Sequence, residues 1–120
     1  MKTIKELEEH ILSLPNTELT FPFGEDVSVY KVTVGDEQKM FALLPHDKDP
    51  VRISLKCDPQ LALLLREKYE SVMEGYHLNK KHWNTMLMTG QLTDQEIKDL
   101  ILHSYNLVAK HDAALPQFKS

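Results

Sequence analysis

Nine consecutive residues, Gly75-Tyr76-His77-Leu78-Asn79-Lys80-Lys81-His82-Trp83, bring together two aromatic rings, two imidazoles, one carboxamide and two ammonium groups. That mixture suits contact with a nucleic acid: ammonium groups neutralise phosphates, while flat rings and an amide stack on bases or read their edges. Lys80 and Lys81 would carry the charge, with Asn79, Tyr76, His77 and His82 beside them. Arg52 and Lys56 share one face of an alternating segment upstream and would add charge from a sheet surface. The plain alternative is a solubilising turn above buried rings. For Trp83, the chain's only tryptophan, burial beneath the last helix is the preferred reading.

Other chemistries find less support. Cys57 follows Lys56 and precedes a helix start, a setting that can activate a thiolate. Alternation nevertheless puts it with Val51, Ile53 and Leu55 on an apolar face, where free cysteine acts as a small hydrophobe. His77 and His82 are five apart, off register for one helix face and on opposite faces of a strand, and no carboxylate or cysteine stands at ligand spacing. His103 and His111 could share a helix face, but solvent and lysine contacts explain them as well. No nucleophile elbow, glycine-rich phosphate loop or His-Glu-x-x-His run is present. The expectation is a non-enzymatic protein with no catalytic residues, metal or cofactor.

A chain of 120 residues with 42% apolar content suffices for one core and one domain spanning 1–120. Residues 1–49 balance to −5, 50–90 to +2 and 91–120 to −1, so the only positive region is the one that holds the candidate contacts. An overall charge of −4 limits any nucleic-acid contact to a local, weak one. The apolar run Leu61-Ala62-Leu63-Leu64-Leu65 is far below membrane-spanning length, and the charged start resembles no signal peptide. With a single cysteine, the chain is expected to be cytoplasmic, with no membrane association.

The elements that position these residues follow from period and punctuation. Thr3 to Glu6 is a capping box, and Ile4, Leu7, Ile11 and Leu14 trace a helix that Pro15 stops. Residues 16–26 read as a loop whose Phe21 and Phe23 anchor under the sheet. Val27–Val34 and Gln38–Leu44 flank Gly35-Asp36 as a hairpin. Val51–Cys57 alternates as a half-buried strand, with Arg52, Ser54 and Lys56 on a polar outer face. Asp58-Pro59 starts a helix to about Tyr69; strand-like pieces follow at 71–78 and 82–88. A second capping box at Thr93–Glu96 opens the last helix, and the tail 112–120 is expected to be loosely ordered. The order α-β-β-β-α-β-β-α predicts an α+β two-layer sandwich, an antiparallel sheet packed against helices.

Three segments carry a resemblance to a known family: Gly75–Trp83, Ser54-Leu55-Lys56-Cys57-Asp58-Pro59 and Phe21-Pro22-Phe23-Gly24. Together they resemble the MmcQ/YjbR family of small bacterial proteins over about residues 3–111, with Glu74 where many members carry proline. The resemblance implies a secretion-chaperone-like, "double-wing" fold and binding of double-stranded DNA through the loop between the last two strands. Two rival expectations stand beside it: a chaperone-like module that holds a protein or peptide, and an enzyme or small-ligand binder with a pocket near Phe21, Phe23 and Tyr76.

Overall fold

Local chemistry starts each helix. The computed structural model describes residues 3–75, 78–109, 116 and 118. Thr3 caps α1 (Ile4–Leu12), its hydroxyl accepting from Glu6 N at 3.1 Å. Asp58 caps α2 (Pro59–Lys68), its carboxylate accepting from the amides of Gln60 and Leu61 at 3.1 and 3.2 Å, while Pro59 supplies a preset first-turn φ. At the start of α3 (Asp94–Ala109) the box is reciprocal: Glu96 N donates to Thr93 Oγ1 at 3.1 Å, and Thr93 N donates to Glu96 Oε1 at 2.8 Å.

The strands are β1 (Thr17–Thr20), β2 (Val27–Val34), β3 (Glu37–Pro45), β4 (Arg52–Lys56), β5 (Val72–Glu74) and β6 (Trp83–Leu87). They form one antiparallel sheet in the order β1-β2-β3-β4-β6-β5. The α+β class and helix-on-sheet layering therefore stand as read from the sequence. One strand is additional: Thr17–Thr20, within the expected loop, pairs with Val32–Val29 of β2. Four residues are too few to display a period, and Pro22 and Gly24 in the connection to β2 read as a loop, so only the pairing with β2 makes them a strand.

Alternation gives the sheet two faces. On one, Tyr30, Val32, Ile53, Leu55, Cys57, Val72 and Met86 join residues from all three helices in the main core, including Leu7, Ile11, Leu65, Leu100 and Ile101. Each such large aliphatic side chain contributes roughly 1.5–3 kcal/mol when fully buried. A bulge opposite Tyr30/Lys31 leaves Phe41 unpaired in the β2–β3 register. Both Phe41 and Ala42 enter the main core; the Phe41 ring meets Tyr105 edge-on at 5.5 Å, and its carbonyl accepts from Ser104 Oγ at 2.6 Å.

The second face carries a smaller cluster, Val29, Leu43 and Trp83, with Val27, Met40 and Leu78 packed around it. Trp83 is 6% exposed, so its ring is buried, but on the face opposite the helices and not beneath α3. The register explains this: Trp83 pairs with Lys56, whose side chain has the opposite parity to Ile53, Leu55 and Cys57. The outer face of β4 also departs from the expected solvated surface. Ser54 is only 7% exposed and is hydrogen-bonded to Thr85 on the neighbouring strand at 2.7 Å. Among the described residues no helix is long and apolar enough to cross a membrane.

Candidate functional site

Gly75 and residues 78–83 are tied together by backbone hydrogen bonds. β5 ends at Glu74 and β6 begins at Trp83, so the paired strands are shorter than their sequence pattern suggests. Gly75 N donates to Trp83 O at 2.9 Å, and a Cβ on Gly75 would lie 2.7 Å from Trp83 Cβ. Close backbone approach is thus the reason for glycine here. Within the turn, Asn79 Oδ1 accepts from Lys81 N at 2.9 Å and Asn79 O accepts from Trp83 N at 3.0 Å. Asn79 thus forms the turn through its side-chain and main-chain oxygens, and no hydrogen bond engages its carboxamide nitrogen among the described residues. Tyr76 and His77, two of the expected contacts, lie outside the described residues.

Lys80 and Lys81 are exposed at the tip. A third cation, Arg66 of α2, comes to the same place: its Nη2 donates to Lys80 O at 2.6 Å, and Nη1 stands 3.7 Å from Glu74 Oε2. These three cations share a shallow cleft of about 360 Å³ with Pro59, Gln60 and Leu63. Sequence reasoning missed Arg66 because only the packing of the β5–β6 turn against α2 brings it there. His82 is half-buried, its carbonyl accepting from Cys57 N at 2.8 Å, so it anchors the turn to the end of β4.

The other two expected cations lie elsewhere. Lys56 sits beside Trp83 on the second sheet face, while Arg52 pairs with Leu87 at the far end of the same ladder. Four residues at about 3.3 Å each separate them by roughly 13 Å. The structure therefore brings Lys80 and Lys81 together with Arg66, and leaves Arg52 on a different surface.

Arg52 instead edges a cleft of about 620 Å³ on the second sheet face. Leu43, Ser54 and Thr85 line it from the sheet, and Met73, Leu78 and Phe23 from its sides. Phe21 and Phe23 do not anchor under the sheet as expected: they are 46% and 60% exposed. The Phe21–Gly24 turn, with Gly24 at φ +105° and Gly24 N donating to Phe21 O at 3.3 Å, carries them past the start of β2 and leaves Phe23 overhanging this cleft.

Two remaining candidates are structural. Cys57 is 2% exposed; burial, reinforced by the Asp58 carboxylate and partly opposed by Arg66, pushes its thiol up to about 12. A thiol so held is neutral at physiological pH and belongs to the core, as its alternation indicated. His103, also 2% exposed, accepts from Asp58 N through Nε2 at 3.2 Å and so ties α3 to the start of α2. His111 lies outside the described residues.

Comparison with known proteins gives a consistent result. The sequence model of the YjbR family matches residues 12–107. The chain is 39% identical over 97 residues to the uncharacterised protein YbdF of Escherichia coli O157:H7, covering 81% of this chain and 76% of YbdF. It is 34% identical over 103 residues to the uncharacterised protein YjbR of E. coli K12, covering 86% of this chain and 84% of that one. Among solved structures, the Deinococcus radiodurans protein DR2400, with a DUF419 domain, superposes with a TM-score of 0.86 at 39% identity, covering 92% of this chain and 80% of DR2400. A Pseudomonas syringae protein superposes with a TM-score of 0.73 at 28% identity, covering 88% of this chain and 97% of that one.

Proposed function

The chain belongs to the YjbR family, and from that premise we propose that it is a non-catalytic, cytoplasmic binding protein that contacts the DNA backbone through the turn at residues 79–82. The observation that carries this reading is the convergence of Lys80, Lys81 and Arg66 on one exposed corner, with Glu74 as the acid paired to Arg66. Hydrogen bonds through Asn79 and the Arg66–Lys80 contact fix the turn in advance, so little ordering entropy is lost when phosphates dock. A reducing compartment suits a chain whose lone cysteine is free and buried.

On this reading the contact residues differ from those expected from the sequence. Trp83 is buried and Arg52 is remote, so among the described residues the proposed contact surface is Lys80, Lys81, Arg66, the Asn79 amide and the exposed side of His82. Two to four phosphate contacts give a log–log salt slope of only about −2 to −4. Binding at physiological salt is therefore weak unless two copies act together.

Fluorescence anisotropy of a labelled duplex, titrated at low and near-physiological salt, tests the reading. Micromolar affinity that falls with salt and is lost in Lys80→Ala/Lys81→Ala is the expected result. Affinity unchanged by the double substitution would remove the turn from the account. Absence of binding at low salt would leave peptide capture as the surviving alternative, for which the exposed Leu63 and Leu64 beside this corner supply apolar surface.

A further inference from the structure

The second sheet face carries a cleft of different lining. We propose that the cleft of about 620 Å³ above Leu43, Ser54 and Thr85 binds a monocarboxylate with an apolar body, its carboxylate held by Arg52 and its body lying against Met73, Leu78 and Phe23. The volume falls in the usual range for pre-formed small-molecule sites, roughly 300–1,000 Å³. The proposal is independent of the DNA reading, since Lys80, Lys81 and Arg66 line a separate cleft.

Two polar features specify the ligand head. The first is a buried hydroxyl pair. Ser54 and Thr85 are 7% and 2% exposed, lie 2.7 Å apart, and both line the cleft. One hydroxyl donates to the other, and the second keeps its own proton. No further hydrogen bond engages that proton among the described residues, so the cleft floor offers one O–H donor that a ligand oxygen can satisfy.

The second feature is Arg52. Its Nε donates to Pro50 O at 3.3 Å, which holds the guanidinium at the start of β4, and no carboxylate among the described residues pairs with it. The two terminal nitrogens are therefore available to an anion, and a planar carboxylate matches their fork. Asp26, Asp47 and Lys48 also border the cleft, and all three are exposed on loops where solvent screens them. With Asp26 and Asp47 set against Lys48 and Arg52 the lining has no net positive charge, which does not suit a phosphate dianion, whereas a single negative charge is matched by Arg52, the least exposed of the four. Leu43, Met73, Leu78 and Phe23 then set the rest of the ligand: an unbranched or aromatic body, not a sugar.

Trp83 makes the test direct. It is the chain's only tryptophan and packs with Leu43 and Leu78, two residues that also line the cleft. Titration of the full chain with sodium decanoate below its micellar range, followed by Trp83 emission and by calorimetry, should show saturable one-to-one binding and a raised Tm. The neutral analogue 1-decanol should bind roughly tenfold or more weakly, and Arg52→Gln should impose a similar loss on decanoate, the scale of one charge-assisted hydrogen bond. Lys80→Ala/Lys81→Ala should leave decanoate binding unchanged. Three results would each overturn the proposal: no saturable binding, equal affinity for decanoate and decanol, or a decanoate affinity that is indifferent to Arg52→Gln. Leu43→Asp serves as a second probe of the cleft floor, and decanoate binding that survives it in folded protein would likewise place the ligand elsewhere.

Discussion

Gly75 and Trp83 are coupled at the scale of single atoms. With 2.7 Å between Trp83 Cβ and the position of a Gly75 Cβ, and 3.2 Å to Trp83 O, even one methyl group must push the β5–β6 pair apart. Gly75→Ala should cost about 1–3 kcal/mol, as overpacking generally does, readable as a lower urea midpoint with unchanged slope. Trp83→Ala removes the aromatic ring of the second cluster and should cost roughly 3–5 kcal/mol; a near-neutral result would mean that the ring is solvated. Cys57 makes a prediction in pH. Its thiol, ordinarily near 9.0, is pushed up to about 12 in the fold, first by burial and then by Asp58. The unfolded chain therefore releases this proton at lower pH than the folded one. The associated stability is fully present below pH 9.0, and it is lost as pH rises toward about 12. Tyr30, raised by burial and by its hydrogen bond to Glu8, adds a loss of the same sign. Urea midpoints measured from about pH 8 to pH 11 should decline, and Cys57→Ala should make the decline shallower.

Among the elements, α2 depends most visibly on one residue. Asp58 receives two first-turn amides through its carboxylate while its own amide donates to His103, so a single position ends β4's connection, starts α2 and ties it to α3. Asp58→Ala should cost about 1 kcal/mol, the usual worth of an N-cap, while Asp58→Asn should recover most of it. Equal loss in both variants would show that the carboxylate charge matters more than its acceptor geometry. By contrast, Lys80→Ala/Lys81→Ala should move the Tm by no more than about a degree, because exposed turn lysines away from buried networks contribute little. Both lysines are exposed, and it is the carbonyl of Lys80, not its side chain, that Arg66 holds. The stability of the turn resides in Asn79, Gly75 and Arg66; its charge resides in the lysines.

Across the whole molecule, helices cover one face of the sheet and leave the other with a small cluster and a cleft. Two surfaces of distinct chemistry result: a cationic corner at Arg66, Lys80 and Lys81, and an amphipathic cleft at Arg52. Much of this frame is legible in the residue order. Capping boxes, Asp58-Pro59 and the alternation of Val51–Cys57 act over a few residues, so helix starts, the core position of Cys57 and the α+β class follow from the sequence alone. The remainder depends on contacts between segments, which the pattern of any one segment does not encode. β1 exists because β2 pairs with it; Trp83 faces away from the helices because β6 takes its register from Lys56. Phe23 reaches the open face because the Phe21–Gly24 turn carries it past the start of β2. The candidate contacts divide the same way. Lys80 and Lys81 were legible as exposed cations in a turn, since Asn-Lys-Lys between apolar runs resists burial. Arg66 joined them, and Arg52 left them, only through tertiary structure. A strand's period determines which face a side chain takes relative to its neighbours, but only the pairing of strands and the docking of helices decide what each face meets.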